Sequence, residues 1–265
     1  MLRSMYSGIS GMKNFQVKLD VIGNNIANVN TYGFKKGRTI FKDLVSQQIA
    51  GASAPTANSG GVNPKQVGLG AQLAAIDTVQ TQGSLQTTAR VLDLAISGDG
   101  FFVLGDNSGN NRLYTRAGNF YLDSQGYIVS ADGRYLLGNG NTRIQIPTTA
   151  QSLSIGSDGT VNYVDNTGTL QVAGRIELAK FANNDGLEKV GDNLFRSTTN
   201  SGAETLTSPG VGGAGKIVPG ALEMSNVDLS EEFTEMIVAQ RGFQANTRII
   251  TTSDEILQEL VNLKK

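Results

Sequence analysis

The stretch LSEEFTEMIVAQRGFQANTRIITTSDEILQELVNL, residues 229–263, decides the architecture. Its positions step by fours and threes through Leu229, Phe233, Met236, Gln240, Phe243, Thr247, Ile250, Asp254, Leu257 and Val261. That period predicts one amphipathic helix, about 50 Å long at 1.5 Å per residue. A second stripe, Ile237, Ile249, Ile256, Leu260 and Leu263, runs beside the first. Asp228 stands three residues before Glu231, the spacing of a capping box with Asp in place of the usual Ser or Thr. Glu231, Glu232 and Glu235 suit the positive end of the helix dipole, and Lys264 and Lys265 the negative end. Gly242 is the single glycine from 226 to 265.

The other end of the chain carries a matching pattern. Leu2, Met5, Ile9, Met12, Phe15, Leu19, Ile22, Ile26 and Val29 advance by threes and fours. Gly8, Gly11 and Gly23 weaken this helix by about 1 kcal/mol each relative to Ala. It is expected to end near Asn30, with Thr31, Tyr32 and Gly33 as the stop. All five prolines (Pro55, Pro64, Pro147, Pro209 and Pro219) lie in the middle of the chain, away from both helices.

Between the helices the pattern changes twice. Residues 51–70, GASAPTANSGGVNPKQVGLG, are small and polar with two prolines, and read as a linker or extended loop. From about 72 to 220 the runs are short and strand-like: LDLAI (92–96), FFVL (101–104), NFYLD (119–123), YIVS (127–130), RIQI (143–146), VNYV (161–164) and RIELAKF (175–181). Asp-Gly pairs at 99–100, 132–133, 158–159 and 185–186 mark turns, and SQGYIVSADGRYL and GSDGTVNYVDNTGTL read as hairpins. The expected fold is α+β: long N- and C-terminal helices paired as a coiled-coil-like module around a mainly antiparallel β domain. The expected divisions are 1–41 with 225–265 (helical polymerisation domain), 42–71 (linker) and 72–224 (β-rich outer domain). Two helices cannot bury two apolar stripes each, so the remaining faces need cover from the β domain or from other copies of the chain.

Composition removes most chemistry. The chain has 265 residues, no Cys, no His and no Trp. It therefore lacks the usual ligands for zinc, haem or iron–sulfur groups and cannot run imidazole catalysis. Lys and Arg number 22 against 23 Asp and Glu, without the basic excess of a nucleic-acid binder. No apolar run reaches the roughly 18 residues of a membrane span, and the N-terminus lacks the apolar core of a secretory signal.

Four motif-like patterns read more simply as structure. GVGGAGK (210–216) matches a phosphate loop up to its lysine, but Ile217 replaces the Ser or Thr that holds magnesium, and Pro219 opposes a following helix. Ser10 and Lys13 form an S-x-x-K pair without its partner triads. The run 106–111, DNSGNN, has a misplaced glycine for a calcium loop, and Ala117 stands at the twelfth position. Asp93 and Asp99 could pair as hydrolytic carboxylates only at a separation the sequence does not set. No catalytic, cofactor or metal residue is expected.

The two ends also resemble a known family. Asn24-Asn25-Ile26-Ala27-Asn28-Val29-Asn30-Thr31, followed by Gly33-Phe34-Lys35, resembles the N-terminal signature of bacterial flagellar rod, hook and hook-associated proteins. LEMSNVDLSEEFTEMIVAQRGFQANTRIITTSDEILQELVNL (222–263) is similar to their C-terminal signature. LDLAISGDGFFVL (92–104) and YTRAGNFYLDSQGYIVSADGRYLLG (114–138) resemble the β domain of the hook and distal rod proteins. The signature positions implied are Asn24, Asn25, Asn28, Asn30, Thr31, Gly33 and Phe34.

The resemblance implies a non-enzymatic subunit that leaves the cell through the flagellar export apparatus without a cleaved signal and stacks helically into a tube. The implied subunit-packing residues are Leu2, Met5, Ile9, Met12, Leu19, Ile22, Ile26 and Val29 with Leu229, Phe233, Met236, Phe243, Ile250, Leu257 and Leu260. The implied partners are the chain itself, neighbouring axial proteins (distal rod, hook–filament junction) and the hook cap, with no cofactor, nucleic acid or membrane insertion. Residues 60–88, GGVNPKQVGLGAQLAAIDTVQTQGSLQTT, resemble the hook version of this segment, so the expectation is the hook, a universal joint for motor torque. A flexible 42–72 linker would let such a tube bend. The chain is, however, the length of a distal rod protein, which is the alternative.

Overall fold

The computed structural model describes residues 2–55, 60–106 and 111–263; the side chain of Leu2, Lys264, Lys265 and most of the calcium-like run (107–110) lie outside them. The described chain is α+β, with two long helices, α1 (Leu2–Ala27) and α2 (Leu229–Asn262), and antiparallel strands between. It forms two compact units: residues 1–27, 37–78 and 228–265 in one, 28–36 and 79–227 in the other.

In the first unit α1 and α2 pack against each other. Asp228 caps α2, its carboxylate accepting from the Ser230 and Glu231 amides. The helix thus starts where the Asp-x-x-Glu spacing places it, because the cap satisfies amides that have no intrahelical partner. By contrast, α1 stops at Ala27, earlier than Asn30, and turns occupy 28–33. Gly37–Asp43 pairs antiparallel with Ala71–Thr78, with a register shift between Ile40 and Phe41. Alternate residues of this ribbon (Thr39, Phe41, Leu73, Ala75) are half-buried while Ile40 and Ile76 are exposed. Within the segment read as a linker, Ser46–Ala50 pairs with Lys65–Gly68, and Ser53 with Val62. Every residue of these two strands is exposed.

The second unit is built on Phe101–Gly105, whose five residues are all buried. Strand side chains alternate between faces, so Phe102 and Leu104 enter one core with Leu94, Ile96, Phe120, Ile128 and Ile176. Phe101 and Val103 enter a second with Tyr114, Phe181 and Phe195. Being covered on both sides explains why FFVL shows no polar alternation. This strand pairs with Leu113–Thr115, Tyr135–Leu136 and Leu178–Lys180. Both predicted hairpin regions form: Ile128–Val129 with Tyr135–Leu136 around Asp132-Gly133, and Thr160–Val164 with Leu170–Arg175 around 165–169, while Ser152–Ile155 pairs with Thr160–Val164 around Asp158-Gly159. The RIQI run is not a regular strand; Arg143 and Gln145 make isolated bridges to Leu137 and Tyr127. Lys216–Pro219 pairs with Leu94–Ser97 and Ala221–Glu223 with Leu85–Thr87, so the last strands close on the first ones of this unit.

Candidate assembly site: the helix pair and its signature segment

Contacts run down α1 as they run up α2, so the helices are antiparallel. Gly8 faces Ile250, Gly11 faces Asn246, Phe15 faces Gly242, Lys18 pairs with Glu235, and Asn25 meets Glu232. The seam residues on α2 (232, 235, 239, 242, 246, 250 and 253) keep a 3–4 spacing, and all but Ile250 are small or polar: Ala239 is fully buried, and Glu232 and Ser253 nearly so. The helices meet where glycines admit one edge of the apolar stripes, Phe15 against Gly242 and Ile250 against Gly8. A Cβ on Gly242 would stand 2.5 Å from the Phe15 ring, and one on Gly11 would stand 2.7 Å from the Asn246 amide. Gly11 and Gly242 thus set the approach of the helices, whereas a Cβ on Gly8 would make an ordinary 3.4 Å contact with Ile250 and one on Gly23 would meet nothing within 4 Å.

This seam leaves much of the apolar stripes uncovered. Phe233 is 50% exposed and Ile237 59%, and Leu229, Ile249, Ile256, Leu260, Val261 and Leu263 are exposed too. Met236, Phe243, Ile250 and Leu257 are half-buried. On α1, Ile9 is exposed, Met5, Met12, Leu19 and Ile26 are half-buried, and Ile22 is buried. Val29 lies past the helix end, half-buried in the second unit, because the chain has already turned. Tyr6 and Val238 are exposed apolar residues outside both predicted stripes.

The signature residues serve the chain around the helix ends. The Asn25 side chain acts as a strand partner: its Oδ1 accepts from the Gly37 amide and its Nδ2 donates to the Gly37 carbonyl, each at 2.9 Å. The same Nδ2 lies 3.2 Å from both Glu232 carboxylate oxygens. Asn28 accepts from the Thr31 hydroxyl at 3.1 Å, and the Phe34 amide donates to the Thr31 carbonyl. Gly33 takes φ +68°, and a Cβ there would stand 2.5 Å from the Ala117 nitrogen, so only glycine fits. Phe34 is buried beneath the Lys189 ammonium, 4.9 Å from its ring centroid. Asn24 and Asn30 are exposed.

Next to Phe34 lies a buried charge cluster within the second unit. Lys35 Nζ donates to Glu223 Oε1 at 2.6 Å and to the Thr81 carbonyl at 2.7 Å. Arg116 Nη1 donates to Glu223 Oε2 at 3.3 Å, and Nη2 to the Gly98 carbonyl at 2.8 Å. The Lys35 and Glu223 side chains are fully buried. Burial pulls the Lys35 pKa down, with Glu223 acting in opposition and Arg116 adding to the lowering; burial likewise lowers that of Arg116. Lys35, Arg116 and Glu223 all lie inside quoted stretches. A lone charge between apolar residues, as in Leu222-Glu223-Met224, is a signal that could have singled out Glu223; Lys35, followed by Lys36, carries no such mark.

The motif-like patterns fall where ordinary structure explains them. Residues 210–216 form a turn closed by the Gly210 amide on the Gly215 carbonyl, and Lys216 opens a strand instead of a helix. Ser10 donates to the Ser7 carbonyl, and Lys13 is exposed. Asp93 accepts from Thr88 and Arg90, while Asp99 is exposed.

Comparison with known proteins places this arrangement. Three family descriptions match: "Flagella basal body rod protein" over residues 5–35, "Flagellar hook protein FlgE/F/G D1 domain" over 95–163, and "Flagellar basal body rod FlgEFG protein C-terminal" over 218–263. The chain is 62% identical over 266 residues to the flagellar basal-body rod protein FlgG of Bacillus subtilis, with 100% of each chain covered. It is 41% identical over 266 residues to FlgG of Caulobacter vibrioides, covering 99% of this chain and 100% of that one. To the flagellar hook protein FlgE of Borreliella burgdorferi it is 33% identical over 443 residues, again with 100% of each covered. The two terminal matches cover most of the helix pair with its signature segment and the central one part of the β unit, and the 62% identity runs end to end, so the chain belongs to the FlgE/F/G family of flagellar rod and hook proteins, axial components of the bacterial flagellum.

Proposed function

We propose that the chain is a subunit of the flagellar rod, in its distal part, and that it self-assembles into a straight, non-enzymatic, torque-bearing tube. The observation that carries this is the end-to-end 62% identity with a basal-body rod protein, the alignment spanning 266 residues against a chain of 265. The hook expectation is less well supported: the hook relative is 33% identical and its alignment stretches over 443 residues. The segment on which a bendable tube was expected to depend also speaks for the rod. This expected linker or extended segment pairs as a hairpin, with Ile49 and Val67 exposed on its strands and Val45 exposed just before them. A two-stranded hairpin is marginal alone in water, and its apolar side chains offer anchors to a neighbouring subunit.

The uncovered helix faces supply the driving force for assembly. Fully burying a Leu, Ile, Val, Phe or Met side chain is worth about 1.5–3 kcal/mol, so the exposed apolar residues of the helix faces add a large favourable term once a neighbour covers them. The neighbours would be further copies and adjoining axial proteins, reached after export through the flagellar apparatus. No helix among the described residues is long and apolar enough to cross a membrane. Electron microscopy of the purified, concentrated protein tests this. Straight tubes across a range of salt and temperature are expected. Supercoiled or variably curved tubes would return the assignment to the hook, and a protein that stays monomeric at high concentration would remove self-assembly.

A further inference from the structure

We propose that Lys35, Arg116 and Glu223 form a latch inside the central unit that joins the roots of the two terminal helices, keeping them together even when the helices themselves are unpaired. Residues 33–36 follow α1 in sequence, and 223–226 precede α2; all belong to the second unit. Around the ion cluster the segments are stitched by one backbone hydrogen bond and by the Asn226 and Glu223 side chains bonding to backbone. The Gly33 amide donates to the Glu223 carbonyl at 2.8 Å, and the Lys36 amide to Asn226 Oδ1 at 2.8 Å. Asn226 Nδ2 donates to the Val79 carbonyl at 2.8 Å, and the Gly83 amide to Glu223 Oε1 at 3.0 Å. Four stretches (33–36, 79–83, 116 and 223–226) therefore meet at one carboxylate.

The charge count makes this a latch more than a generic stabiliser. Two buried cations share one carboxylate, and Arg116 Nε has no partner. An apolar trio of similar volume would often be no less stable, whereas removing one partner of a buried pair is strongly destabilising. What the charges add is conditionality. Until the C-terminal strand brings Glu223, Lys35 has no carboxylate to offset its burial and faces Arg116, whose remaining counter-charge is Asp99. The central unit therefore closes around the N-terminal root only when the C-terminal root is also seated.

Hydrogen exchange on the dilute full-length subunit tests this. In the wild type the amides of Gly33, Lys36 and Gly83 should stay protected even where α1 and α2 exchange freely. Glu223→Gln should speed those three amides at least tenfold relative to the Leu137 amide, which bonds the Val103 carbonyl. Adding Lys35→Met to Glu223→Gln should recover part of that protection, because one cation remains instead of two. Root amides that exchange as fast as the helices, an unchanged pattern in Glu223→Gln, or losses that sum in the double variant would each overturn the latch. If Glu223→Gln does not fold, a folded Lys35→Met/Glu223→Gln supports the proposal and an unfolded one refutes it.

Discussion

Gly23→Ala and Gly242→Ala make the same chemical change in helix interiors, and the structure sends them in opposite directions. Ala is favoured over Gly by about 1 kcal/mol inside a helix. At Gly23 a Cβ would meet nothing within 4 Å, so the full gain is expected. At Gly242 the Cβ would stand 2.5 Å from Phe15 Cζ and 2.8 Å from Cε2. Carbon atoms settle at about 3.5–4.0 Å, so the helices must part by about 1 Å or the ring must leave. Overpacking of that kind costs about 1–3 kcal/mol, leaving a net loss of about 1 kcal/mol after the propensity gain. The variants should therefore differ by about 2 kcal/mol, roughly 30-fold in the pairing equilibrium of the helices at about 1.4 kcal/mol per tenfold. Far-ultraviolet circular dichroism of the dilute subunit reads this directly: helicity rises in Gly23→Ala and falls in Gly242→Ala. Phe15→Leu in the Gly242→Ala background should restore it. A rise in both variants would refute the close-packed seam and return the glycines to plain helix weakeners.

Amides across 2–27 and 229–263 should exchange fast in the free subunit while those of Phe101–Gly105 stay protected, since the helix pair leaves one face bare; equal protection in a verified monomer would refute this. Ile237→Asp should abolish tube formation, read by sedimentation, by placing an unpaired charge on a surface to be buried at a cost of several kcal/mol, while the β unit melts as before. Ile250→Asp is the less clean variant because Ile250 already packs on Gly8 in the seam. Deleting 47–67 should bend or destabilise otherwise straight tubes, seen by electron microscopy, if the hairpin anchors neighbours. The Thr160 hydroxyl holds the Asp158 carboxyl below its usual pKa of 3.8; a depressed carboxylate stabilises the fold above its unfolded pKa, and that contribution fades as pH falls through the folded value. Thr160→Val should raise the Asp158 midpoint in an NMR titration, and an unmoved midpoint would exclude the hydroxyl as the cause.

Much of this protein was legible from local pattern. The 3–4 period of residues 229–263, the Asp228 cap, the Asp-Gly hairpins and the all-apolar FFVL strand are consequences of helix geometry, orphan amides, turn chemistry and two-sided burial. Each depends on neighbours within a few residues, so the chain itself announces them. Family membership was legible for a related reason: Gly33 and Asn25 have backbone duties that other residues fill poorly. Tertiary structure alone decided which helix faces meet. Apolar periodicity marks residues that leave water, but not the partner that covers them; the intramolecular seam took glycines, small polar residues and one edge of the stripes (Phe15, Ile250), and much of the stripes, Phe233 and Ile237 among them, was left outward. The Lys35–Glu223–Arg116 cluster was equally hidden, because its members are separated by up to 188 positions and a charge's burial depends on what the rest of the chain brings to it. The hairpin at 46–68 escaped too, since Gly- and Pro-rich composition reports backbone freedom while strand pairing depends on which distant segment lies alongside.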